Sequence, residues 1–286
     1  RTSANARSVG PDAAAAVQAA RTPPGQIATL ILPADCAWDE GAEPGAPLAP
    51  PACASVAPEI VNNIARALRS GVPAMLMLSG AALTERGLRA AHRVAHLTGA
   101  RLRTPTQVPR MARGRGRVPV DRIPYVVDAA LKVLEGTRHL VLAGAKAPVG
   151  FFGYPGKPST LWPPDCEVHV LARAEQDIVG ALDALADELG APREVALPEP
   201  GPRPETQRGR FHPEAFGHTL AALLPENAVV AEDAVTSGRA LFPLTWAAAP
   251  HDWIQITGGA IGHAFPAATG AALGSPGRKV VCLQAD

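Results

Sequence analysis

Short apolar runs alternate with amphipathic stretches along almost the whole chain. Residues 27–32, 74–78, 101–104, 139–143, 167–171, 228–231, 253–257 and 279–283 read as strands. Between them, residues 12–20, 58–70, 85–98, 125–135, 176–189, 213–224 and 263–273 read as helices. Strands that are apolar on both faces and separated by amphipathic helices predict parallel sheets covered on each side, an α/β protein. Run 74–78 has no polar face, which predicts a central strand. Ser70-Gly71 and Thr98-Gly99 put glycine where helices end.

Two proline-rich stretches interrupt this pattern. Residues 41–54 carry no periodicity, and residues 197–210 hold Pro198, Pro200, Pro202 and Pro204. Proline continues neither helix nor strand, so both read as linkers. They divide the chain into a terminal βα remnant (1–40), a complete α/β domain (55–196) and an incomplete α/β unit (211–286). The abrupt start at Arg1-Thr2-Ser3 and the end on a strand carry the expectation of an internal piece of a longer protein.

Composition narrows the picture. Of the 286 residues 47% are hydrophobic, enough for a sizeable core, and the 4% aromatic share leaves alanine to fill it. A formal net charge of +1 implies no nucleic-acid partner and no anionic membrane. Cys36, Cys53, Cys166 and Cys282 form no C-x-x-C pair and read as free thiols of a reducing cytosol, so a cytoplasmic location is expected. No apolar run is long enough to span a bilayer, and no signal-peptide core opens the chain.

Chemistry gathers at the C-terminal end. Gly258-Gly259-Ala260-Ile261-Gly262 follows a strand and precedes a helix. Taken alone, it is either a generic phosphate loop or a tight structural turn. The next strand delivers the carboxylate of Asp286 to the C-terminal edge of the sheet, a position suited to holding a metal against a phosphate. Glu232 and Asp233 read as a solvated strand end with helix-capping character. The arginine-rich stretch 108–119 is either a solvated basic loop or an anion site. Residues 143–146 and 152–159 follow a strand and line a possible nucleotide crevice. The histidines show no metal spacing. His92 and His96 stand four apart on one helix without a third ligand and read as an ordinary helix pair.

The string from Gly258 through Pro266-Ala267-Ala268 and Gly270, continued by Val280-Val281-Cys282-Leu283-Gln284-Ala285-Asp286, resembles the first half of the signature of thiamine diphosphate (ThDP) enzymes of the acetolactate synthase type. The resemblance makes Ile261 the bulky residue that holds the cofactor bent. It makes Gly259 the carbonyl facing the pyrimidine 4′-amino group, with Ala260 and Gly262 beside it, and Asp286 the first Mg²⁺ ligand. Ala234 and Val235 match positions whose backbone amides touch the diphosphate. ThDP is an electron sink for a carbanion, and Mg²⁺ neutralises its diphosphate.

Residues 1–40, with Ile31-Leu32-Pro33-Ala34-Asp35, are similar to the end of the family's pyrimidine-binding domain. Residues 55–196 are similar to its central domain, and residues 211–286 to the start of its diphosphate-binding domain. The resemblance implies an enzyme that decarboxylates a 2-oxo acid such as pyruvate and transfers the carbanion to a second carbonyl compound. The intact enzyme is expected to be a homodimer or homotetramer. Two alternatives stay open, a benzoylformate-type decarboxylase and a non-catalytic nucleotide-binding or scaffold module. True acetolactate synthases hold FAD in the central domain, but this chain shows no diagnostic FAD residue and none is expected. The family's activating glutamate matches no residue here, so the 286-residue chain alone is expected to be inactive, with no catalytic residue of its own.

Overall fold

The computed structural model describes residues 1–285, so Asp286, the expected metal ligand, lies outside the described residues. The chain divides into two compact units, residues 1–55 with 174–177, and the remainder.

The first unit holds α1 (Val9–Arg21) and α2 (Ala34–Trp38). The strand expected at 27–32 is not formed. Only Ile31 bridges to Thr2, through Ile31 N donating to Arg1 O at 2.9 Å and Ser3 N to Ile31 O at 3.1 Å. Within the run this bridge satisfies only the N–H and C=O of Ile31. Without a longer ladder to join, the apolar run stays irregular, and Ile27 is exposed.

The second unit continues with α3 (Pro58–Arg69), β1 (Ala74–Leu78), α4 (Glu85–Thr98), β2 (Arg101–Thr104), β3 (Met111–Arg113), β4 (Asp121–Arg122), α5 (Val127–Leu134), β5 (His139–Ala143), β6 (Glu167–Ala172) and α6 (Ile178–Leu189). It ends with α7 (Pro213–Leu223), β7 (Ala228–Asp233), α8 (Val235–Leu244), β8 (His251–Gln255), α9 (Ala264–Gly274) and β9 (Val280–Gln284). Thr84 starts α4 by accepting from Gly87 N, and Gly99 ends it at φ +70°.

Five strands form a parallel sheet in the order β4-β2-β1-β5-β6. The central strand is β1, as its doubly apolar pattern predicts, and all five of its residues are buried. Alternation divides it between two cores. Leu76 and Leu78 pack with Ile64 and Leu68 of α3, Leu88 of α4 and Leu182 of α6. Met75 and Met77 pack with Val127, Ala130 and Leu134 of α5.

A second sheet has the order β3-β8-β7-β9. β8, β7 and β9 are parallel, and β3 joins antiparallel, with Met111 opposite Trp253 and Arg113 opposite His251. Residues 111–113 are therefore not part of a solvated loop. They cross from between two strands of the first sheet to close an edge of the second. The proline-rich residues 197–210 are held within this unit: Arg203 Nη2 donates to Leu224 O at 2.8 Å, and Arg115 Nη1 to Gly201 O at 2.6 Å. No helix among the described residues is long and apolar enough to cross a membrane.

Candidate active-site edge

The parallel run of β8, β7 and β9 brings three strand ends to one edge, where Glu232 pairs with Gln255 and Asp233 with Gln284. Glu232 and Asp233 are not a solvated end: both are buried, Asp233 completely. Their backbones are flanked on both sides, Glu232 O accepting from Ile256 N at 3.1 Å and Asp233 O from Ala285 N at 3.2 Å. Nor does Asp233 cap α8, whose N-cap is Ala234 without a side-chain bond. Its Oδ2 instead accepts from Gly262 N at 2.6 Å and from Gln284 Nε2 at 3.1 Å. Asp233 Oδ1 and Gln284 Oε1 are buried with no hydrogen-bond partner among the described residues.

The Asp233 carboxylate thus pins the glycine loop to the sheet edge. Gly258, Gly259 and Gly262 have φ of +64°, +70° and +94°, a left-handed region that residues with a side chain rarely enter. Gly259 O accepts from Ile261 N at 3.0 Å, which leaves the carbonyl a second lone pair. Ala260 N is turned back to Thr257 O and His263 N to Ala260 O. The Gly262 amide is spent on Asp233. Ile261 is held outward, 76% exposed, with Phe265 and Val235 also exposed and Ala234 buried.

A second segment meets this loop. A side chain at position 259 would stand 3.1 Å from Phe151 Cζ. Phe151 belongs to an aromatic chain, its ring centroid 5.5 Å from Tyr125 and 4.8 Å from Phe152, with Phe152 6.1 Å from Tyr154. Phe151, which precedes the stretch 152–159 and packs on its first residue, therefore links that stretch to the glycine loop. Gly144, also read as a crevice residue, has no room above it: an added Cβ would lie 2.6 Å from Ser79 O.

Behind the edge lies a group that sequence reasoning missed. Arg113 is buried with its guanidinium carbon 3.5 Å from the Phe242 ring centroid and 5.2 Å from that of Trp253, and it donates to Phe242 O. Arg122 lies over the same Phe242 ring at 3.9 Å. Burial, then the charge of Arg122, holds the Arg113 guanidinium well below its ordinary value. Burial, then Arg113, pushes His251 down to about 3, so His251 is a neutral imidazole. Its Nδ1 donates to Ala249 O at 2.7 Å. Arg113 and Arg122 thus hold α8 through Phe242, near the end of the helix away from its first turn at Val235.

The reading of the histidines also needs correcting. His139, Glu167 and His169, far apart in sequence, converge at the start of β5 and β6. Register is the cause, because His139 pairs with Glu167, and Glu167 and His169 share one face of β6. His92 and His96 remain an unassisted pair, with ring centroids 6.4 Å apart and His92 Nε2 3.1 Å from Ala196 O.

The chain is 47% identical over 281 residues to "Putative acetolactate synthase large subunit IlvX" of Mycobacterium tuberculosis (strain ATCC 25618 / H37Rv), covering 98% of this chain and 54% of that protein. The chain belongs to the thiamine diphosphate-dependent enzyme family. It is also 29% identical over 113 residues, 38% of this chain and 21% of the relative, to a benzoylformate decarboxylase of Pseudomonas aeruginosa. The fold superposes on the ThDP-dependent 4-hydroxybenzoylformate decarboxylase of Rhodococcus jostii RHA1, with a TM-score of 0.74 at 20% identity, over 98% of this chain and 56% of that one. It superposes equally on the benzoylformate decarboxylase of Polynucleobacter necessarius, with a TM-score of 0.74 at 17% identity, over 100% of this chain and 57% of that one. No family model matches. The chain spans about half the length of the relatives it matches end to end.

Proposed function

We propose that this chain supplies the diphosphate-side cofactor edge of a ThDP- and Mg²⁺-dependent enzyme of the acetolactate synthase large-subunit type. The intact enzyme would act in the cytoplasm as a homodimer or homotetramer, decarboxylating a 2-oxo acid such as pyruvate and passing the carbanion to a second carbonyl compound. One observation carries the reading: Ile261 stands exposed on a left-handed glycine loop that the buried Asp233 ties to the sheet edge. An apolar side chain held out beside strand ends offers a surface that a flat, apolar group could cover.

The residues present fit such a group. Bound there, ThDP would supply an electron sink for the carbanion. Ile261 would set the angle between its rings, and the second lone pair of Gly259 O would accept from the pyrimidine amine. The backbone of Ala234 and Val235 would face the diphosphate, and Asp286 would give Mg²⁺ a hard oxygen ligand. Ala260 and Gly262 keep the loop in shape, the latter through Asp233. The chain alone is expected to be inactive.

A benzoylformate-type decarboxylase is the second reading, favoured by the names of both superposed structures. The deciding experiment uses the intact enzyme, with ThDP titrated by tryptophan fluorescence beside steady-state kinetics on pyruvate and on benzoylformate. Asp286→Ala should abolish Mg²⁺-dependent ThDP binding, whereas Ile261→Ala should keep binding and lose roughly a hundredfold in turnover. Normal ThDP affinity in Asp286→Ala at limiting Mg²⁺ would overturn the site. Turnover of benzoylformate without pyruvate would select the second reading.

A further inference from the structure

The register of β5 and β6 places three metal-ligating side chains at the N-terminal edge of the five-stranded sheet, and we propose that His139, Glu167 and His169 form a Zn²⁺-class site. His139 Nδ1 and His169 Nε2 are 3.1 Å apart, and Glu167 Oε2 lies 3.7 Å from the first and 3.8 Å from the second. The nearest point equidistant from three atoms so spaced lies in their plane about 2.1 Å from each, the ordinary bond length of zinc to imidazole nitrogen and carboxylate oxygen, and a small side-chain movement would lift the ion out of that plane into tetrahedral geometry. A simple hydrogen bond between two imidazoles explains the first distance but does not require the carboxylate to converge on the same point.

The donor set selects the ion. Two imidazoles and one carboxylate suit Zn²⁺ and its borderline neighbours, whereas Mg²⁺ and Ca²⁺ prefer oxygen alone. Three protein ligands leave one tetrahedral position for water. Solvent reaches the cluster at Glu167, whose side chain is 67% exposed, while the two imidazoles are largely buried at 15% and 13%. The sheet supplies the rigidity. His139 and Glu167 are paired residues of adjacent strands, and β6 is the edge strand, so a bound ion would clip the edge to its neighbour. The site is separate from the cofactor edge, which lies on the other sheet, and does not rest on the function proposed above.

The test is titration of the full chain with Co²⁺ and then Zn²⁺, in excess Mg²⁺, followed by visible absorption and thermal melting. One Co²⁺ per chain should bind with the intense visible bands of a four-coordinate site, without the near-ultraviolet bands of thiolate ligation. Zn²⁺ should displace it and raise the melting temperature. His139→Gln combined with His169→Gln should abolish the spectrum, and Glu167→Gln should weaken binding at least about tenfold, while His92→Gln with His96→Gln leaves it unchanged. Glu167 is exposed, so its variant keeps the test decisive even if the double variant fails to fold. No Co²⁺ binding, thiolate bands, or an unaltered spectrum in Glu167→Gln or the double variant would each overturn the site.

Discussion

The two sheets of the larger unit are built to different rules. The five-stranded sheet is parallel throughout and draws every strand from one continuous stretch of chain. Of its strand residues, only Arg103 holds a buried polar atom without a partner among the described residues. The four-stranded sheet borrows its edge strand β3 from the middle of the other, and Arg113, Asp233, His251, Trp253 and Gln284 all carry such atoms. Buried polar groups left unpaired are costly, and native folds keep few of them. The first sheet is therefore the stabilising scaffold, and the second sheet trades stability for a polar edge.

That contrast can be broken at three places. Leu76 is completely buried at the centre of β1, and Leu76→Ala should cost about 3 kcal/mol, read by denaturant unfolding. A loss below about 1 kcal/mol would mean that the first sheet is not the scaffold. Asp233→Ala removes the acceptor of two hydrogen bonds on the other sheet and should cost about 2 kcal/mol. Faster amide exchange at Gly262, with β1 unchanged, would be its signature. Unchanged protection at Gly262 would refute the pinning role.

The smallest effect concerns pH. His251 is depressed to about 3, so between that value and the ordinary histidine range the unfolded chain binds a proton that the folded chain does not. Stability therefore falls as pH falls, by about 1 kcal/mol between pH 6 and pH 5 from this residue. His251→Gln should flatten that part of the slope; an unaltered slope would assign the acid sensitivity to other groups.

Periodicity made the first sheet legible. Runs 74–78 and 139–143 match β1 and β5, since burial on both faces leaves its mark on composition. The glycine loop was equally plain, because left-handed backbone demands glycine at Gly258, Gly259 and Gly262. What escaped was decided by distant partners. Met111–Arg113 reads as a basic loop until Phe242 and Trp253 arrive to cover the guanidinium. Helix α8 was hidden by Gly238 and by Pro243 in its last turn. The strand expected at 27–32 lacked a ladder, and the His139–Glu167–His169 cluster exists only once β5 and β6 are in register.

The crossing of β3 also has a consequence in time. During synthesis Met111–Arg113 leaves the ribosome about 140 residues before β8, a wait of roughly 7–30 s at ordinary elongation rates. Throughout that interval the segment lacks the partner strand it has in the fold, and unpaired strands are the kind of surface on which chains stick to one another. Arg113, with Arg110 and Arg115 on either side, gives the waiting strand a charge that repels its like. The same arginine that is awkward to bury in the finished molecule adds repulsive charge to the unfinished one.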